Sequence, residues 1–431
     1  MSDEPGKGFW MLGKRLIGGL LGAVAAAAVA MLTPAKAADE KPITIGFGMA
    51  LSGGLAPVGK SALLAMQIWE HDVNEHGGML GRPVKLVYYD DQSNPANVPG
   101  IYTKLLDVDH VDLVVSGYAT NMVAPAMPII MQHNRTFLSL FGLDVNSEFH
   151  YPRYFSFLPA GGPHPKQSFS AGFFAVAMAQ DPKPKTLAIV GADAEFAHNA
   201  MDGALAVAKA DGLKIVYDRT YPPTTADYTP IVRAIQATNP DLVFVSSYPP
   251  DTAGMVRAMH EVGLKAKLIG GGMVGLQVSA LKTQLGPLLN GIVDYDFWLP
   301  WSKEASPASM AFLKDYQARA GAAGVDPLGY YLPPFAYGYM QVLQQAVEGT
   351  KSLDQAKLAD YLRSHTFKTV VGDVKFGPDG EWTEPRVLEV QFRDITGNDL
   401  AQYKDAKTET ILWPSALATG KVIYPYTDVT K

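Results

Sequence analysis

Residues 48–95, GMALSGGLAPVGKSALLAMQIWEHDVNEHGGMLGRPVKLVYYDDQSNP, contain the transitions that decide the fold. The strand-like run ITIGFGM at 43–49 leads into this segment, a helical periodicity follows over 61–75, and VKLVYY at 84–89 is again strand-like. Apolar, β-branched runs that alternate with helical segments are typical of parallel sheets whose faces are covered by helices. The segment therefore predicts a strand–helix–strand unit of an α/β protein.

The same alternation continues on both sides of a Pro- and Gly-rich passage, LPAGGPHP at 158–165. Further strands are predicted at 111–116, 136–140, 186–191, 214–219, 242–247 and 268–271. The last third differs, because it combines a long apolar helix at 334–349 with short strands over 375–393 around the turn GPDG. Two strand–helix series joined at a Pro/Gly boundary indicate two doubly wound lobes of one architecture.

The composition narrows the classes of function. The chain has 431 residues, of which 48% are hydrophobic, and its formal net charge is −6. That length favours two domains, and an acidic chain lacks the basic excess that nucleic-acid binding requires. The sequence contains no cysteine, which excludes disulfides, thiol catalysis and a lipid-modified cysteine.

The N-terminus has the pattern of an export signal. An apolar run at 16–32 follows the basic residues Lys7, Lys14 and Arg15. The small residues of AKA at 35–37 then predict cleavage between Ala37 and Ala38. Residues 1–37 are therefore predicted to be a signal peptide and the mature protein to be periplasmic. The alternative is an uncleaved membrane anchor, which the weakly apolar Ala and Gly residues disfavour.

An ordered series of motifs resembles the leucine/isoleucine/valine-type periplasmic solute-binding proteins of ABC transporters. The series comprises the opening segment at 48–95, GADAEFAHN at 191–199, PDLVFVSSYPPDTAGMVRAMHEVGL at 240–264 and VKFGPDGEW at 374–382. The resemblance covers essentially all of the chain after the signal, and it includes the branch of the family that binds aromatic acids. It implies the type I periplasmic binding protein fold, in which two Rossmann-like lobes are joined by three hinge crossings and close around a solute.

The resemblance also implies the lobe boundaries. One lobe would comprise 42–160 plus 297–367, and the other would comprise 161–296 plus 368–431. Ligands of open parallel sheets bind beyond the carboxyl ends of the strands, so the loops that follow strands are the candidate site. Thr120 begins a predicted helix there and would hold a ligand carboxylate, although a hydroxyl residue at that position is also a common helix N-cap.

One position departs from the family pattern. The amino-acid binders of the family place a carboxylate near Gly272 to pair with the ligand ammonium, and a buried ammonium without a counter-charge is costly. Asp251 could replace that carboxylate, but a helix-capping role is the favoured interpretation. The aromatic residues at matched loop positions then favour an aromatic or hydrophobic carboxylate as ligand. The predicted ligand-binding residues are Ser52, Val58, Tyr118, Ala119, Thr120, Phe141, Gly142, Leu143, Phe196, Tyr248, Asp251, Gly272 and Met273.

The sequence offers no catalytic, metal or cofactor motif of comparable strength. GGGMVG at 270–275 fits a dinucleotide fingerprint, but it comes too late in its lobe to be one. The predicted function is therefore a monomeric, non-enzymatic binding component that delivers a small carboxylate to an inner-membrane ABC permease. The alternatives are a branched-chain amino-acid binder, a ligand-sensing ectodomain, and a hydrolase or dehydrogenase on an α/β scaffold.

Overall fold

The computed structural model describes residues 41–426, and the predicted signal peptide with its cleavage site lies outside that range. The first sheet has five parallel strands in the order β2-β1-β3-β4-β5. These strands are β1 (Ile43–Met49), β2 (Val84–Asp90), β3 (Leu113–Tyr118), β4 (Phe137–Leu140) and β5 (Tyr154–Ser156). The helices between them are α1 (Ala56–Glu75), α2 (Val98–Thr103), α3 (Thr120–Val123), α4 (Met127–Gln132) and α5 (Asn146–Phe149).

Helix α1 shows how local chemistry extends an element beyond its hydrophobic periodicity. The periodic apolar residues predict a helix over 61–75, and the helix begins five residues earlier, at Ala56. Pro57 occupies the first turn, where its fixed φ favours the helix and its missing N–H costs no hydrogen bond. The apolar face then buries Ile68 and Trp69 in the main hydrophobic core.

The second lobe repeats the arrangement with five parallel strands. They are β6 (Thr186–Ala192), β7 (Lys214–Tyr221), β8 (Leu242–Ser247), β9 (Leu268–Met273) and β10 (Val293–Asp296). Their helices are α6 (Pro165–Met178), α7 (Glu195–Ala210), α8 (Thr229–Ala237), α9 (Pro249–Val262) and α10 (Ser279–Leu285). The strand–helix alternation of this region is as the sequence predicts.

The chain then returns to the first lobe. Helices α11 (Pro307–Ala323), α12 (Pro333–Thr350) and α13 (Gln355–Ser364) precede a hairpin of β11 (Thr366–Thr369) and β12 (Gly372–Lys375). Helix α12 packs on α1, where Gln344 Oε1 accepts a hydrogen bond from Trp69 Nε1 at 3.1 Å. Tyr337 donates to Asp72 across the same interface at 2.8 Å.

Two antiparallel strands complete the second sheet, β13 (Leu388–Phe392) and β14 (Glu409–Trp413). The sheet order is β14-β13-β10-β9-β8-β6-β7. The chain therefore passes between the lobes at 157–164, 297–306 and 376–387. The turn predicted at 377–380 is present, with a bridge between Phe376 and Trp382 across it, whereas of the strands predicted over 375–393 only 388–392 joins the sheet.

The glycine run at 270–272 is explained by strand packing. A Cβ atom on Gly270 would lie 1.5 Å from the carbonyl oxygen of Val293, so only glycine allows β9 to lie this close to β10. A Cβ atom on Gly272 would meet the ring of Phe169 at 3.2 Å. The run therefore serves close contacts inside the second lobe.

Candidate functional site

A cavity lies between the lobes, beyond the carboxyl ends of strands from both sheets. About 320 Å³ of space in it, part of which is open to solvent, is not filled by protein atoms. We call it the inner cavity, and it is lined by Tyr118, Ala119, Thr120, Phe141, Leu143, Leu158, Phe169, Phe196, Tyr248, Val274, Tyr295, Phe297 and Tyr331. A wider opening, the outer cleft, shares Tyr248 with it and includes Asn121, Asp193, Glu195 and Asp251 in its walls.

The wall of the inner cavity is mainly aromatic. Eight of its thirteen lining residues are Phe or Tyr, and many of their rings pack edge to face. Phe141 and Phe297 have ring centroids 5.1 Å apart, and those of Phe169 and Tyr295 are 4.7 Å apart. These spacings are favourable for aromatic pairs, so the rings form a stable apolar surface that suits another ring.

The only hydroxyl groups in this wall belong to Thr120 and four tyrosines. Three of the tyrosine hydroxyls meet: that of Tyr331 lies 2.9 Å from that of Tyr295 and 3.4 Å from that of Tyr118. Burial raises the pKa of each of these three phenols well above its ordinary value, so they are neutral. They can therefore both donate and accept hydrogen bonds.

The loops after β3 and β4 have strained backbones where they border the cavity. Ala119 has φ +87° and Phe141 has φ +60°, a region that costs free energy for a residue with a side chain. The loops are tied together because Leu143 N donates to Thr120 Oγ1 at 3.0 Å. The hydroxyl proton of Thr120 thus remains available to a ligand, and Thr120 is also the first residue of α3.

Side chains from both lobes bond directly across the cleft beside the cavity. Asn121 Oδ1 accepts from the hydroxyl of Tyr248 at 2.8 Å and from the backbone N–H of Phe196 at 3.2 Å. Asn199 of α7 donates to the carbonyl of Leu143 at 2.9 Å. These bonds hold the two lobes in contact, and they separate the inner cavity from the outer cleft.

Seven of the thirteen predicted site residues line the inner cavity: Tyr118, Ala119, Thr120, Phe141, Leu143, Phe196 and Tyr248. Six lie outside its lining. Ser52 is exposed and donates to Asp90, Val58 is buried in α1, and the Gly142 carbonyl accepts a hydrogen bond from Ser156. Gly272 and Met273 are buried in β9, where Met273 N donates to Asp294.

Asp251, the sixth, lies in the wall of the outer cleft and caps α9. Its carboxylate accepts from the backbone N–H of Tyr248 at 2.8 Å and from the hydroxyl of Tyr221. Burial raises its pKa to about 6. Both of its oxygens are therefore already bonded within the second lobe, as a capping residue requires.

Several lining residues were not predicted from the sequence. Phe297 directly follows β10, but no strand was predicted there, so the rule of looking after strands did not reach it. Phe169 lies inside α6, Tyr295 inside β10 and Tyr331 just before α12, and their positions in the sequence give no such signal. They reach the cavity only because the lobes and the α11–α13 layer come together around it.

The inner cavity is uncharged. Within the described range 41–426, no Asp, Glu, Lys, Arg or His lines it. Acidic residues lie in the outer cleft, where burial, with a contribution from the charge of Glu148, raises the pKa of Glu195 to about 7. Across the same range, no group of three or more His, Asp or Glu residues is arranged to hold a metal ion. Nor does any helix between residues 41 and 426 combine the length and apolarity needed to cross a membrane.

Two α/β lobes that enclose a small buried cavity define a solute-binding protein of the two-lobed class. The sequence profile of the periplasmic binding protein family matches residues 42–388, and the chain belongs to that family. The resemblance stated from the motifs is thereby confirmed.

Relatives and solved structures agree with this assignment. The Leu/Ile/Val-binding protein of Escherichia coli (strain K12) is 24% identical over 374 residues, which are 86% of this chain and 93% of the relative. The closed Leu-, Ile-, Val-, Thr- and Ala-binding protein of Brucella ovis superimposes with a TM-score of 0.70 at 20% identity, covering 89% of this chain and 98% of that one. A solute-binding protein from R. palustris in complex with 4-hydroxybenzoate gives a TM-score of 0.69 at 21% identity, covering 83% and 94%.

Proposed function

We propose that the protein is the exported binding component of an ABC importer, which captures a small aromatic or hydrophobic carboxylate and delivers it to an inner-membrane permease. The observation that carries this proposal is the inner cavity itself, whose wall has eight aromatic rings and no ionised side chain. An aromatic ring gains both burial and edge-to-face contacts in such a wall.

The ligand carboxylate is assigned to the loop that contains Thr120. Its hydroxyl accepts from Leu143 N and so has its own proton left to donate. Thr120 also begins α3, a single turn in which Met122 N and Val123 N already donate to the carbonyl of Ala119, so the assignment rests on the hydroxyl of Thr120. A carboxylate placed there exchanges its bonds to water for bonds to protein donors, which a purely apolar wall would not offer.

An α-ammonium group finds no comparable partner. Position 272 has no side chain, and the ring of Phe169 occupies the space into which one would project. Asp251 accepts bonds from Tyr248 and Tyr221 and lies outside the inner cavity. Burying an ammonium without a counter-charge costs several kcal/mol, so the cavity favours acids without an amino group.

A thermal-shift screen of the purified protein tests the proposal. The panel contains aromatic carboxylates, aryl-keto acids, branched-chain amino acids and simple sugars. A ligand that binds only the folded protein adds about 2.7 kcal/mol of stability at 100 times its Kd, so aromatic acids should raise the Tm clearly. Stabilisation by sugars alone, or by no acid at all, would contradict the proposal.

The second candidate ligand is a branched-chain amino acid, and the names of the relatives favour it. The E. coli relative is a Leu/Ile/Val-binding protein, whereas the R. palustris neighbour was solved with 4-hydroxybenzoate. Stabilisation by leucine or valine alone would keep the transport role and exclude the aromatic acid. Asp251 would then have to exchange its capping bonds for a bond to the ligand ammonium. In that case Asp251→Asn should lose leucine binding.

A further inference from the structure

The three tyrosine hydroxyls that meet in the inner cavity form an open chain. The Tyr331 hydroxyl is central, at 2.9 Å from that of Tyr295 and 3.4 Å from that of Tyr118. All three side chains are buried among aromatic rings, including that of Phe141, 5.4 Å from the Tyr331 ring. We call these three side chains the tyrosine trio.

The trio has more hydrogen-bonding capacity than it uses. Three neutral hydroxyl groups carry three protons, and two bonds between them use two. The third proton has no acceptor among residues 41–426, and the hydroxyl at the opposite end of the chain keeps free lone pairs. A buried donor that lacks an acceptor is destabilising. Because Tyr118, Tyr295 and Tyr331 all line the cavity, the group that would accept this bond is one in the cavity.

The trio lines the inner cavity but not the outer cleft. Successive ring contacts lead from Tyr331 to Tyr295, then to Phe169, Phe196 and finally Tyr248, with centroid distances of 6.1, 4.7, 5.5 and 5.8 Å. Tyr248 borders the outer cleft. The rings of Phe169 and Phe196 therefore stand between Tyr248 at the outer cleft and the hydroxyls of Tyr295 and Tyr331.

The carboxylate assigned to Thr120 and the trio belong to the same cavity. Tyr118 precedes Thr120 by two residues, so their Cα atoms lie at most about 7 Å apart, and Thr120 and all three tyrosines line the cavity. A single substituted ring placed there can contact both. Its carboxylate would face the Thr120 loop, and its far edge would face the tyrosine hydroxyls.

From this arrangement we infer that Tyr118, Tyr295 and Tyr331 recognise a hydroxyl group on the ring of the ligand, and that the ligand class is ring-hydroxylated aromatic carboxylates. This inference rests on the proposed function. A phenol matches the open chain because it accepts the unpaired proton at one end or donates to the free lone pairs at the other. A ring without the hydroxyl leaves the trio unsatisfied, and sites built for a hydroxyl discriminate strongly against such analogues.

The experiment compares matched acids by calorimetry on the purified protein. The pairs are 4-hydroxybenzoate with 4-methylbenzoate, and the corresponding hydroxy- and methyl-substituted phenylpropenoates, since methyl keeps the size and removes the hydrogen bond. In at least one series the hydroxy acid should bind about tenfold tighter or more. Tyr331→Phe should reduce that preference to within about twofold, because it removes the central hydroxyl.

Tyr102→Phe is the matched control. Its hydroxyl is also buried, but it donates to the carbonyl of Val115 at 2.9 Å inside the first lobe and does not line the cavity. The control should retain the full preference for the hydroxy acid. If Tyr331→Phe fails to fold, Tyr295→Phe shortens the chain at one end and should also reduce the preference.

Different outcomes separate this inference from the proposed function. Equal affinity for the hydroxy and methyl acids would overturn the inference and leave the aromatic-acid function standing. A Tyr331→Phe variant that weakens both acids of a pair equally would also overturn it, because the trio would then hold the carboxylate. Binding of leucine with no binding of any aromatic acid would overturn the proposed function, and the inference with it.

Discussion

At the scale of single residues, the candidate site depends on pairs of buried groups that hydrogen-bond to each other. Thr120 and Leu143 tie two strained loops together, and the Asp251 carboxylate is used by Tyr248 and Tyr221. Such bonds leave few polar groups free to meet a solute. The groups that do remain free then have a large influence on which solute the cavity accepts.

Asp91 is a buried residue whose charge should be visible in the pH dependence of stability. Burial raises its pKa from 3.8 to about 6, with a contribution from the charge of Asp90. The folded protein therefore holds this proton more tightly than the unfolded chain, and the free energy of unfolding falls as pH rises from about 4 to about 6. Asp91→Asn has no carboxyl group to titrate at this position, so this fall in the free energy of unfolding is absent from the variant. The variant's stability relative to the parent should be higher at pH 8 than at pH 5, by about 1 kcal/mol.

Urea unfolding at the two pH values measures this difference. Asp241→Asn is the control, because the pKa of Asp241 is lowered: burial opposes ionisation, but bonds from Lys267 and from the backbone N–H of Lys185 outweigh it. The Asp241 carboxylate stays ionised from pH 5 to pH 8, so the stability of Asp241→Asn relative to the parent should not change over that range. A relative stability of Asp91→Asn that is the same at both pH values would show that Asp91 does not titrate there.

The sequence predicted the parts of the site that local rules govern. Tyr118, Phe141 and Tyr248 lie at or just after the ends of strands, and the position of a strand end follows from its apolar run. Tyr331 follows from no such rule, because it precedes a helix and reaches the cavity through long-range packing. Its hydroxyl partner Tyr295 is 36 residues away, and nothing in the local sequence encodes that contact.

At the scale of elements, the parallel strands were predictable, whereas of the late antiparallel strands the region of β13 was predicted but its pairing was not. Strands β6, β8 and β9 read as continuous apolar or glycine-containing runs, as strands buried on both faces do. Strand β13 pairs with β10, which is almost a hundred residues earlier in the chain. Alternation within a short segment cannot identify a partner so distant.

The contact of β9 with β10 should be sensitive to a single methyl group. Gly270→Ala would place a Cβ atom 1.5 Å from the Val293 carbonyl oxygen, so the strands must separate. We expect a loss of at least about 3 kcal/mol in the free energy of unfolding, or a failure to fold. Gly321→Ala in α11 is the control, since nothing lies within 4 Å of its Cβ position and alanine favours a helix. Equal urea midpoints for the two variants would contradict this account of the glycine run.

At the scale of the whole molecule, direct bonds across the cleft hold the lobes together. Gly54 of the first lobe lies so close to Pro250 of the second that a Cβ atom would come within 2.8 Å of its ring. Asn121 Oδ1 joins the lobes by accepting from Tyr248 and Phe196. Lobe motion about a few connecting residues is the usual way in which such proteins admit a solute. The balance between open and closed forms should then depend on these few bonds.

Asn121→Ala tests that dependence, because it removes the acceptor of both bonds and leaves two donors to find water. Each lost bond is worth about 1 kcal/mol, so the loss of both is enough to shift a two-state balance by roughly thirtyfold. We expect a larger radius of gyration in small-angle X-ray scattering without added solute. Asn74→Ala removes two hydrogen bonds to Val84 within the first lobe and should leave the radius unchanged. If both variants scatter like the parent, closure is held by the aromatic contacts of the cavity wall, and Asn121 only orients Tyr248.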